Sequence, residues 1–156
     1  MEGMKVNEQI TVAGQIAPEQ LKQAAQEGFK SVLNLRASGE EGFLPDEEKQ
    51  AKAAGLTYVN IPVKKEEISD ELTSQVLKEI DELPKPVLVH CASGMRAGAM
   101  AFMHMATREG MRAKEAMGKA QDAGFDCNAE PQLKEFFEQY VDAHSHSKQS
   151  QQAGGS

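Results

Sequence analysis

The sequence predicts an α/β fold with a central, mostly parallel sheet of about four to five strands flanked by helices. Two observations carry this expectation. Short apolar runs of strand length alternate with segments of helical periodicity, and Gly or Pro stands at nearly every junction between them. A third observation sets the scale: 156 residues fit one domain, large enough to bury a core without disulfides or metal staples.

Ile10 to Ala13 reads as a short first strand. Pro18 suits the first turn of a helix reaching about Glu27, and Gly28 stops that helix before a strand from Ser31 to Leu35. The unit then repeats. Pro45 to Ala54 is an acidic-fronted helix closed by Gly55, and the strand Thr57 to Ile61 is ended by Pro62. Ser69, Asp70 and Glu71 open a helix to about Leu83, with Leu72, Val76, Leu77 and Ile80 at helical spacing. Pro84-Lys85-Pro86 breaks it and launches Val87-Leu88-Val89, an apolar run of the kind buried at the centre of a parallel sheet. Ala97 to Glu109, Ala113 to Ala123 and Pro131 to Ala143 follow as three helices. The composition then turns to Ser, Gln, Gly and His. Residues 1–143 are therefore expected to form the catalytic domain, and 144–156 a disordered polar tail.

Composition excludes several functions. Lys and Arg total 17 against 24 Asp and Glu, a net charge of −7, which argues against attachment to nucleic acid or an acidic membrane. Any anion must be captured by a local cluster. Two cysteines and four scattered histidines show no metal-ligand spacing, and no cofactor is implied. Free thiols fit the cytoplasm; the periplasm fits as well if a leader has been removed, since nothing at the N-terminus has signal-peptide form.

The chemistry concentrates in residues 87–98, Val-Leu-Val-His-Cys-Ala-Ser-Gly-Met-Arg-Ala-Gly. A central strand ends, a turn containing Gly94 points successive backbone N–H groups inward, and a helix begins near Arg96 with its positive end facing the turn. An anion belongs there, cradled by Ala92, Ser93, Gly94 and Met95. Cys91 lies at the edge of that field, which favours thiolate over thiol and makes it the candidate nucleophile. Arg96 adds a planar fork able to grip two oxygens of a tetrahedral anion.

His90-Cys91-x-x-Gly94, preceded by Gly28 to Arg36 and by Gly55 to Val63, resembles the dual-specificity branch of the cysteine phosphatases. The resemblance runs from about Gln9 to Tyr140. It is strongest to a small bacterial phosphatase-like family found alone or fused to metallo-beta-lactamase-type persulfide dioxygenases. The resemblance implies a cysteine phosphatase-like fold, a phosphocysteine intermediate on Cys91, phosphoryl binding by Arg96, an orienting role for His90 and an acid from a neighbouring loop. The expected partner is a phosphorylated small molecule or phosphoprotein.

Three departures qualify it. Ala92 to Met95 put four residues between Cys91 and Arg96 where cysteine phosphatases have five; four is the spacing of rhodanese sulfurtransferases. Ala97 stands where a Ser or Thr usually helps expel the thiolate, although Ser93 is near. The expected acid loop reads Lys64-Lys65-Glu66-Glu67, with no aspartate. Glu66 or Glu67 is the candidate acid, with Asp46 a weaker one. Lys64 and Lys65 supply a local positive field, and Arg36, ending a strand at the carboxyl edge of the sheet, is a candidate for substrate binding. Met100 and Met103 read as core, and Cys127 as an inert connector thiol. The leading function is hydrolysis of phosphate monoesters, phosphotyrosine-like or small. The alternatives are a persulfide-carrying sulfurtransferase and a phosphate-binding module without turnover. The oligomeric state is left open.

Overall fold

The computed structural model describes residues 3–128 and 130–154, with side chains through residue 145. Its sheet contains β1 (Met4–Lys5), β2 (Ile10–Ala13), β3 (Ser31–Asn34), β4 (Thr57–Asn60) and β5 (Val87–His90), in the spatial order β1-β2-β5-β3-β4. β2, β5, β3 and β4 are parallel, as the alternating pattern predicts. β1 pairs antiparallel with β2 through Met4↔Val12; at two residues it is too short to leave a periodic signal.

α1 (Pro18–Gln26) and α2 (Glu47–Ala53) cover one face of the sheet. α3 (Asp70–Glu82), α4 (Met95–Glu109), α5 (Ala113–Asp122) and α6 (Pro131–Gly154) cover the other. The alternation of β5 divides its side chains between these layers. Leu88 joins Leu21, Ala24, Val32 and Ala51 beneath α1 and α2, whereas Val87, Val89 and Cys91 join the larger core under α3 to α6. Met100 and Met103 belong to that larger core, as expected.

Two boundaries differ from the sequence reading. α4 starts at Met95, because Gly94 takes a left-handed conformation (φ 94°) that turns the strand into the helix at once. α6 does not stop at Ala143. Leu133, Phe137, Val141 and Ser145 recur every four residues and are 3%, 0%, 0% and 1% exposed, and the Ser145 hydroxyl donates to the Ala106 carbonyl at 3.1 Å. Among the described side chains the buried stripe thus reaches a serine, which composition assigns to the polar tail. Side chains from 146 onward lie outside the described residues.

Among the described residues no helix is long and apolar enough to cross a membrane.

Candidate active site

Gly94 has no side chain with which to cap α4. The sulfur of Cys91 takes that role: Sγ accepts from Gly94 N at 3.1 Å and from Ala97 N, in the first turn of the helix, at 3.4 Å. Two backbone N–H groups therefore converge on a fully buried sulfur (0% exposed), an arrangement suited to a negatively charged acceptor. The turn is braced from the segment that follows β2, where Gln15 N donates to the Ala92 carbonyl at 3.0 Å. A Cβ on Gly14 would lie 3.0 Å from that same carbonyl oxygen, so the close approach needs glycine there.

Arg96 extends from the first turn of α4 into a frame of oxygens. Nη1 donates to Glu40 Oε2 at 2.7 Å and to the Val63 carbonyl at 2.8 Å, while Nη2 donates to Glu40 Oε1 at 3.0 Å. This is a bidentate, charge-assisted pair. It holds the Glu40 carboxyl down at about 2, against the opposing effect of burial and with help from the Ala37 amide and Arg36. The same contacts, followed by the neighbouring Cys91 sulfur, push the Arg96 guanidinium up.

A cavity of about 430 Å³ opens beside Arg96, lined by residues of the 37–40 and 64–66 segments, by Ser93 and Met95, and by Glu130. The structure therefore brings Arg96, Ser93, Met95, Lys64, Lys65 and Glu66 to one cavity. Glu67 is not at its wall; it is exposed and paired with Lys64 at 3.8 Å. Lys65 is paired with Glu130. Arg36 is not at the wall either. It is 4% exposed, and its donors go to Glu40, Gln15 and the Gly42 and Glu41 carbonyls, which organise the 36–42 turn. Asp46 precedes α2, away from this cavity. His90 is fully buried, with Nε2 on Glu47 and Nδ1 3.5 Å from the Cys91 carbonyl.

Glu40, Glu130, Glu47 and Gln15 were not found by sequence reasoning. Arg36 and Glu40, four apart, carried a faint charge-pair signal. Glu130 and Glu47 carried none, because their partners lie 65 and 43 positions away. Among the described residues, no three His, Cys, Asp or Glu side chains converge as a metal site.

Residues 4–108 match the model of the phosphatase-like domain of beta-lactamase hydrolase-like proteins. The chain belongs to this family. A beta-lactamase hydrolase-like protein of Agrobacterium fabrum is 35% identical over 100 residues, covering 62% of this chain and 23% of that protein. One from Xylella fastidiosa is 30% identical over 129 residues, 81% of this chain and 30% of its own length. The chain thus spans under a third of these beta-lactamase hydrolase-like relatives. Among solved structures, a phosphatase candidate from Neisseria meningitidis superposes with a TM-score of 0.75 at 26% identity, covering 90% of this chain and 99% of that one. The fold of this phosphatase-like family member is that of cysteine phosphatase-like structures.

Proposed function

We propose that the chain hydrolyses phosphate monoesters with Cys91 as nucleophile and Arg96 as phosphoryl clamp. The observation that carries this reading is the pair of N–H groups on Cys91 Sγ, 3.1 and 3.4 Å away, beside a guanidinium held bidentately by Glu40. Ala97 lacks the hydroxyl found after the arginine in related enzymes, but its backbone N–H already points at the sulfur and can stabilise the thiolate as it departs.

In the first step the Cys91 thiolate attacks phosphorus and the bond to the ester oxygen breaks. Glu66 donates its proton to that oxygen, so the product leaves as an alcohol and Cys91 carries the phosphoryl group. Water then attacks phosphorus and gives its proton to the Glu66 carboxylate. The P–S bond breaks, its electrons return to sulfur, and inorganic phosphate is released. Glu66 fits the acid role because it lines the cavity and, among the described residues, forms no ion pair. Arg96 binds the equatorial oxygens while Ser93 and Met95 line the approach, and Lys64 and Lys65 attract the anion to the mouth.

The fold also occurs, at 16% identity and a TM-score of 0.62, in Pseudomonas aeruginosa TpbA, solved with phosphotyrosine. That is compatible with a phosphorylated small molecule or phosphoprotein here. The four-residue spacing from Cys91 to Arg96 favours a second reading, a persulfide carrier.

Intact-mass analysis after incubation with phenyl phosphate or with thiosulfate separates them. Released phosphate or a phosphoryl adduct on Cys91 is expected. A lasting persulfide without phosphate release would replace the hydrolase reading with sulfur transfer, and an unmodified thiol in both would leave a binding module.

A further inference from the structure

The two ends of the anion turn are joined behind the sheet edge by side chains that the proposed chemistry does not touch. The alternation of β5 turns His90 toward α2, where its Nε2 meets Glu47 Oε2. Glu47 Oε1 accepts from Gln15 Nε2 at 2.9 Å. That amide has one sensible orientation: its Nε2 also donates to the Ile16 carbonyl at 2.9 Å, and its Oε1 accepts from Arg36 Nη1 at 2.7 Å. Arg36 Nε donates to Glu40 Oε1 at 3.1 Å, and Glu40 holds Arg96. The path His90, Glu47, Gln15, Arg36, Glu40, Arg96 is unbroken.

Its centre is the costly member. Glu47 is 1% exposed, and a buried carboxyl is tolerated only when its oxygens are satisfied. Near it stands Tyr58, whose hydroxyl accepts from Asn34 Nδ2 at 2.9 Å and lies within the field of the Glu47 charge. Burial, together with the Glu47 and Glu48 charges, pushes Tyr58 up to about 12, so it keeps its proton.

We propose that Glu47 is a positioning residue for the anion site, holding His90 at the root of Cys91 and, through Gln15 and Arg36, the Glu40 carboxylate that aims the Arg96 fork. The inference rests on Cys91 and Arg96 being the working pair of the phosphatase reading. Its physical basis is geometric: a displacement of about 1 Å in a transition-state contact lowers rate on the order of a hundredfold.

Glu47→Leu leaves an apolar side chain, one bond shorter, in the buried position and removes both polar contacts. Glu47→Gln can keep both contacts, its carbonyl accepting from Gln15 and its amide donating to His90 Nε2. Each variant is assayed for kcat and KM on an aryl phosphate, for the Kd of inorganic phosphate by calorimetry, and for cooperative melting. The Leu variant is expected to lose about tenfold or more in kcat, beyond any change in KM, and to bind phosphate more weakly; the Gln variant should recover most of that loss. Gln15→Leu, which removes the links to both Glu47 and Arg36 but leaves Glu47 on His90, should shift both readouts the same way by less.

A folded Leu variant with kcat and phosphate Kd unchanged overturns the proposal, as does a Gln variant as impaired as Leu. If Glu47→Leu does not fold, an unaffected Gln15→Leu overturns it instead. A wild-type protein that neither hydrolyses the ester nor binds phosphate refutes the phosphatase reading itself, which is distinct from an active wild type with insensitive variants.

Discussion

Cys91 and Cys127 are both buried thiols, 0% and 1% exposed, yet they sit in opposite kinds of surroundings. Around Cys91, a strand end, a left-handed Gly94 and the start of α4 aim two N–H groups at the sulfur, and the Arg96 guanidinium lies nearby. The Cys127 thiol donates to the Met117 thioether at 3.8 Å, and burial pushes it up. Burial alone therefore does not make a nucleophile. What distinguishes the two is the donors that the backbone directs at one sulfur and not the other. The regions meet at Gly98, where an added Cβ would come within 2.3 Å of the Phe125 ring.

The contrast is sharpest in turnover. Cys91→Ser should lower phosphate-ester hydrolysis by roughly a thousandfold or more with the fold retained, because a serine hydroxyl is far harder to ionise in the same surroundings. Steady-state assays with circular dichroism on the same samples check this, and substantial residual activity would move the nucleophile elsewhere. Arg96→Lys should cost on the order of a hundredfold in kcat/KM, since an ammonium cannot span Glu40 and two phosphoryl oxygens as a guanidinium does.

Glu40 tests the same region through stability. Arg96 holds its carboxyl at about 2 rather than 4.5, so its contribution is complete above pH 4.5 and lost as pH falls toward 2. The wild type should lose roughly 1.4 kcal/mol per pH unit from this group between pH 4.5 and 3, up to on the order of 3 kcal/mol in all. Urea midpoints across that range should show the slope in wild type and its absence in Glu40→Gln.

At the junction of the two regions, Gly98→Ala should cost about 1–3 kcal/mol by overpacking Phe125, read as a lower melting temperature. The smallest effect belongs to the other thiol. Cys127→Ser should leave kcat/KM within about twofold and cost only the burial of one hydroxyl, about 1–3 kcal/mol or less; a large loss of turnover would erase the distinction between the two cysteines.

How far each feature was legible in the sequence follows from the range of the interactions that make it. The parallel strands, the Ser69 cap, whose hydroxyl accepts from Leu72 N at 3.1 Å, and the turn from Cys91 into α4 are built from neighbouring residues, and their residue order revealed them. The 36–42 turn misled because Arg36, at a strand's carboxyl end, has the position of a ligand-binding residue, but its donors are spent on its own loop and on Gln15.

By itself, then, the sequence determined the layered α/β order and singled out Cys91 and Arg96 as the proposed nucleophile and clamp, because apolar periodicity, glycine conformation and helix dipoles act over a few residues. Tertiary structure decided which carboxylates Arg96 and His90 pair with. Glu40 reaches Arg96 across 56 positions and Glu47 reaches His90 across 43. Beyond the i,i+4 spacing of Arg36 and Glu40, nothing local marks either among the chain's 24 acidic residues. Their roles arise when packing excludes water and leaves each buried charge or ring nitrogen to find its partner in space.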